Sequence, residues 1–178
     1  MRDAIVLTLG AALLSGAAKG ASSAEACPRC AGPATFATAL TGGGETFGAA
    51  TPHSGQIVAR FAHDARGADR LVYDIGLSKG TQVTYVTLQC APAGKTGPVI
   101  AVLAKAKGWT TDRDLLRRHG AIGDASIVPT RATATCPMRI ASLQDVRAAA
   151  LLGAIYVNVY AYAYPAGEVR GQLQALGK

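Results

Sequence analysis

The chain has 178 residues, with 18 Lys and Arg against 11 Asp and Glu, a formal net charge of +7. Charged residues make up only 16% of it, glycine numbers 21 and helical periodicity is rare, which favours an all-β domain with many turns. Its basic residues are scattered, with only Arg113, Arg117 and Arg118 clustered, and no recognition motif accompanies them, so nucleic acid is excluded as a partner.

Residues 1–26 read as a signal peptide. Arg2 lies in a short n-region, where Asp3 offsets it, and residues 4–14 are apolar. Small residues at Ser22, Ala24 and Ala26 offer cleavage positions. Export is therefore expected, to the periplasm, the cell surface or the exterior. The alternatives are an uncleaved anchor, for which the apolar run is short against the about 20 residues of a span, and lipidation at Cys27. No later segment is long enough to span a membrane as a helix. Removing residues 1–26 takes away Arg2, Lys19, Asp3 and Glu25, so the charge stays at +7. The roughly 150 remaining residues suffice to bury a core.

Residues 27–33 form a short lead-in, and 34–178 form one domain. Strands are expected at 34–40, 56–63, 70–77 and 82–90, separated by a loop over 45–55 and turns at 64–69 and 78–80. A Pro/Gly loop covers 91–97. The apolar run 98–104 reads as a strand buried on both faces. Thr111 and Asp114 predict a short helix over 112–119, stopped by Gly120. Short strands are possible at 127–128 and 131–136. Ser142 and Asp145 predict a second helix over 143–152, stopped by Gly153. The last segment alternates cleanly. Ile155, Val157 and Val159 share one face, and Tyr156, Asn158, Tyr160, Tyr162 and Tyr164 the other. Residues 165–167 are expected to turn the chain into a final strand carrying Val169, Gly171 and Leu173.

An exported chain is expected to oxidise its cysteines, Cys27, Cys30, Cys90 and Cys136. Four allow three pairings, and proximity suggests Cys27–Cys30 and Cys90–Cys136. The spacing of Cys27 and Cys30 also permits a thiol–disulfide redox centre, although no strand precedes them. His53, His63 and His119 show no metal-ligand spacing and read as structural, His119 at a helix end. The tyrosine face reads as a half-exposed sheet surface, or as a contact surface for carbohydrate or protein. Glu168 and Arg170 read as an ion pair on one strand face, joined by Asn158 or Gln172. No catalytic constellation stands out.

Tyr156-Val157-Asn158-Val159, followed by Pro165, Gly167-Glu168-Val169-Arg170-Gly171-Gln172-Leu173, resembles the end of the chordin-type (CHRD) domain. Gly94, Gly97, Pro98 and Val99 resemble a second block of that family, and Gly44-Glu45, Thr51-Pro52 and Ser54-Gly55 a third. The resemblance spans about residues 34–176. It implies an immunoglobulin-like β-barrel and a protein-interaction context outside the cell. The family's His-Ile-His falls on Thr87, Leu88 and Gln89, and a further family histidine falls on Tyr160. That His-x-His strand is similar to the metal-binding strand of copper/zinc superoxide dismutases. Thr and Gln are poor transition-metal ligands, so a polar network or small-ligand contact is expected at Thr87 and Gln89, with Tyr160 reaching across.

The expected fold is a single immunoglobulin-like, Greek-key antiparallel β-sandwich or barrel with two short helices. The expected role is a non-enzymatic binding or structural module with no catalytic residue, metal or cofactor. Its partner would be a protein or an envelope glycan. The alternatives are a superoxide-dismutase-like metal protein or enzyme and a redox protein using Cys27 and Cys30.

Overall fold

Alternating apolar residues draw the chain into ten antiparallel strands, seen in a computed structural model that describes residues 35–46 and 48–177. The expected signal peptide, the lead-in, Cys27 and Cys30 lie outside the described residues. The strands are β1 (Thr35–Thr41), β2 (Ser54–His63), β3 (Asp69–Ser78), β4 (Val83–Cys90), β5 (Val99–Lys105), β6 (Thr110–Asp112), β7 (Leu115–Ile122), β8 (Ile155–Ala161), β9 (Tyr164–Gln172) and β10 (Gln174–Ala175). They form one sheet in the order β5-β4-β8-β9-β1-β2-β3-β7-β6, with β10 paired to β1, curled as a half-barrel. The late hairpin β8–β9 is inserted between β4 and β1, as a Greek-key connection requires.

One face of this curl holds the core. Phe36, Leu40, Ile57, Leu71, Ile75, Val86, Leu88, Val157, Val159 and Val169 are buried there. The strands β5 and β7 face each other without sharing a ladder; across that seam the Tyr73 hydroxyl donates to the Leu103 carbonyl, and Val128 N donates to the Ile100 carbonyl at 2.8 Å. The helix α1 (Leu143–Leu151) covers one flank with Leu143, Val146, Ala149 and Ala150. Ser142 caps it as expected, accepting from Asp145 N at 3.2 Å, and Asp124 adds a second cap by accepting from Leu143 N at 2.7 Å.

The helix expected over 112–119 does not form. That stretch is the β6–β7 hairpin, turned by Arg113 at φ 53°, and β7 pairs with β3 from Leu71↔Ile122 to Ser78↔Leu115. A full ladder against β3 outweighs a weak local capping signal, so the domain has one α-helix among its described residues, not two. His119 accordingly sits mid-strand, exposed, 3.8 Å from Asp74. No strand forms at 127–128 or 131–136; the region holds only an isolated bridge between Thr130 and Ile140. Cys90 and Cys136 do form a disulfide, tying that irregular segment to β4. The β8–β9 turn lies at Tyr162 and Ala163, before the expected 165–167, because Ala161 pairs with Tyr164 and the Pro165–Gly167 stretch already belongs to β9. Finally, β5 is an edge strand in which the adjacent pairs Ile100–Ala101 and Leu103–Ala104 are buried, as an apolar run covered on both faces would be, while Val99 and Val102 are partly exposed at the register shifts against β4.

Candidate functional site

Because the valines and leucines of β4, β8 and β9 point into the core, the intervening residues share the outer face. The registers Thr87↔Asn158, Gln89↔Tyr156, Asn158↔Arg170 and Tyr156↔Gln172 set them side by side. Two loops, 42–53 and 91–98, fold over this face. Beneath them Thr87, Gln89, Tyr156, Asn158, Glu168 and Arg170 are all buried. The tyrosine face is therefore not uniformly a half-exposed surface. Tyr156 is fully covered, Tyr160 is half-buried, Tyr164 donates to the Ala50 carbonyl at 2.8 Å, and only Tyr162, at the hairpin tip, stands 82% exposed.

Gln89 is the hub. Its amide nitrogen donates to Thr87 Oγ1 at 3.0 Å and to the Tyr160 hydroxyl, and its carbonyl accepts from the Tyr156 hydroxyl. Tyr156 also accepts from Gly97 N at 3.2 Å, and burial pushes its phenol above the usual range. The structure thus brings together Thr87, Gln89 and Tyr160, as the sequence suggested, and seats them in a closed hydrogen-bond network.

Arg170 lies flat on the Tyr156 ring, 3.4 Å from its centroid. Nη1 donates to Thr46 Oγ1 at 3.0 Å and Nη2 to the Lys95 carbonyl at 2.8 Å, so one guanidinium grips both loops. Thr46 and Thr96 join the loops directly through their hydroxyls, 3.1 Å apart. Glu168 does not pair with Arg170, contrary to expectation. It turns to the 42–53 loop instead, accepting from Thr51 Oγ1 at 2.8 Å and lying 2.5 Å from His53 Nδ1. Gln172 donates to the Ala91 and Gly153 carbonyls at 3.0 and 2.6 Å. Three side chains thus pin backbone or loop by separate routes.

Close approach explains the glycines of the motif. A Cβ on Gly97 would stand 1.9 Å from the Cys90 carbonyl oxygen, and one on Gly171 2.2 Å from that of Ala39. Pro98 continues the 91–98 loop into β5, its carbonyl accepting from Cys90 N at 3.0 Å. Gly167, at φ +130°, makes room for the Glu45 carboxyl above it. Burial raises the Glu45 pKa to about 7, with the Arg170 charge pulling the other way. Glu45 Oε1, Glu168 Oε2 and Asn158 Oδ1 are buried without a protein hydrogen-bond partner.

Glu45, Thr46, Thr51 and His53 were not singled out as site residues from sequence. The only available signal was the short Gly44-Glu45 and Thr51-Pro52 block, since a loop residue carries no periodicity to reveal what it covers. His63 pairs with Asp69 at 2.9 Å, away from this face. Among the described residues no three His, Cys, Asp or Glu side chains gather as a metal site would need. The His53–Glu168 pair leaves Nε2 beside Gly80, which carries no nucleophile. What the arrangement does chemically is clamp: it fixes two loops on a sheet face.

The sequence matches the CHRD domain family over residues 36–173, which takes in the whole of this polar face. No curated protein and no solved structure matches the chain.

Proposed function

We propose that this chain, which belongs to the CHRD domain family, works as a non-enzymatic binding or structural module outside the cytoplasm. The observation that carries the reading is the closed network on Gln89. Both hydrogens of its amide and its carbonyl are engaged by Thr87, Tyr160 and Tyr156, and the hub is 2% exposed. A group engaged through both amide hydrogens and its carbonyl, and shielded from solvent, is committed to holding the strands and loops in place. The apolar leader and the Cys90–Cys136 disulfide support the extracytoplasmic setting. A protein or an envelope glycan is the partner class that fits such a module.

Elemental analysis of the protein purified from the exported fraction, with a free-thiol count on the same sample, tests the reading. The expected result is no stoichiometric transition metal and no free thiol. Stoichiometric zinc or copper would overturn it in favour of a metal protein. Reduced cysteines together with insulin-reduction activity abolished by Cys30→Ser would overturn it in favour of a redox protein.

A further inference from the structure

Away from the clamp, the opposite side of the β8–β9 hairpin tip opens into a second feature. The turns that follow β3, β5 and β8 meet around a cleft of about 450 Å3, within the about 300–1,000 Å3 span of small-ligand sites. Trp109, Leu116 and Tyr162 supply its apolar walls, and Thr81, Gln82 and Thr84 its polar edges. The Trp109 indole N–H is already held by the Lys105 carbonyl at 2.9 Å, which fixes the ring while it packs on the core. Tyr162 is the most exposed large apolar side chain among the described residues, at 82%. A fixed indole and an exposed tyrosine ring, bordered by amide and hydroxyl groups, match a pyranose, which has an apolar C–H face and a girdle of hydroxyls.

Charge narrows the class. No acidic residue lines the cleft. Ala106 on its wall is flanked by Lys105 and Lys107, both exposed, and Arg118 reaches the same turn, donating to the Gly108 carbonyl at 2.6 Å. Of the two acids in the β6–β7 hairpin, Asp112 is engaged by Arg117 at 3.2 Å and Asp114 is exposed, its carbonyl accepting from Lys79 N. Exposed cations thus flank, in sequence, a cleft whose own lining carries no charge.

We propose that this cleft binds an anionic polysaccharide of the polyuronate class, with a sugar ring stacked between Trp109 and Tyr162 and its carboxylates met by Lys105 and Lys107. The proposal rests on the reading of the chain as a binding module and names the ligand class of that module. An anionic membrane would share the charge attraction, but it would not need an aromatic groove with polar edges.

The test is calorimetric titration of the purified protein with hexagalacturonate, with cellohexaose as the neutral probe and phosphatidylglycerol vesicles as the lipid probe. Hexagalacturonate is expected to bind, more weakly as salt rises, with cellohexaose at least about tenfold weaker. Tyr162→Ala is expected to weaken hexagalacturonate about fivefold to tenfold, and Lys105→Ala with Lys107→Ala to weaken it and flatten the salt dependence. All three side chains are exposed, and an unchanged unfolding midpoint for each variant secures the comparison. No binding of hexagalacturonate, binding indifferent to these variants, or binding of vesicles alone would each overturn the proposal. None of those results bears on metal content or free thiols, so the module reading stands or falls separately.

Discussion

Replacing Glu45 with Gln should stabilise the protein at pH 8 and leave it almost unchanged at pH 4. Glu45 is seated over Gly167 beside Arg170, with Oε1 buried and unpartnered, and its pKa is raised from 4.5 to about 7. Below about pH 4.5 the carboxyl is protonated in both folded and unfolded chains, and the favourable protonated state is fully populated. Between 4.5 and about 7 the unfolded chain ionises first, so stability falls as pH rises, and the loss is complete above the folded pKa. At about 1.4 kcal/mol per pH unit the upper bound is near 3 kcal/mol. Glu45 is only partly covered, and solvent screening brings this down to about 1–2 kcal/mol. Gln keeps the shape of the protonated carboxyl and cannot ionise. Thermal unfolding of wild type and Glu45→Gln should therefore diverge by about 3–6 °C at pH 8 and converge at pH 4. Equal midpoints at pH 8, or a gap that does not close on acidification, would refute the argument that burial of this carboxyl dominates over its attraction to Arg170.

Tyr156→Phe removes the hydroxyl that joins Gln89 to Gly97, and urea unfolding should register a loss of about 1–3 kcal/mol. Gly171→Ala drives a methyl into the Ala39 carbonyl, so β9 must part from β1; a drop in unfolding midpoint larger than that of Tyr156→Phe is expected. Removing the Cys90–Cys136 disulfide by a double Ser substitution opens a link across 46 residues and should cost about 4 kcal/mol in the chain-entropy account, measured by denaturant titration. His53→Ala should raise limited-proteolysis rates within 42–53 while leaving the 91–98 loop as protected as before, because Glu168 holds only the first loop and Arg170 holds both.

The β architecture was legible because period-2 alternation survives wherever one face meets the core: β1, β2, β3 and β4 lie within a residue or two of their expected bounds. The β6–β7 hairpin was not legible, since Thr111 and Asp114 give residues 112–119 a capping pattern locally, and the strand state comes from β3, a partner some 40 residues earlier by sequence. At the site, Thr87, Gln89 and Tyr160 could be grouped because the family resemblance places its three histidine positions on them. Glu168 and Arg170 were placed on that face correctly but paired wrongly. Strand register says which side chains are adjacent, whereas the partners that won, Thr51 and His53 for one and Thr46 and Lys95 for the other, arrive from loops whose fold-back has no sequence signature.

The seam between β5 and β7 sets where the domain breathes. Most neighbouring strands are zipped by ladders, β1 and β9 meeting only at Thr41↔Arg170, whereas the hydrogen bonds across this seam are those of the Tyr73 hydroxyl and of Val128 N at the far side of β5. Parting two strands held so sparsely breaks few bonds and spares the β8–β9 hairpin, so sub-global opening should start at this line. Native-state hydrogen exchange would then show the Val128 amide, whose bond crosses the seam, trading with solvent through a low-energy opening well before the amides of β8 and β9. A Tyr73→Phe chain, with its latch removed, would expose an unpaired strand edge more often and become the form most prone to exchange strands with a second copy.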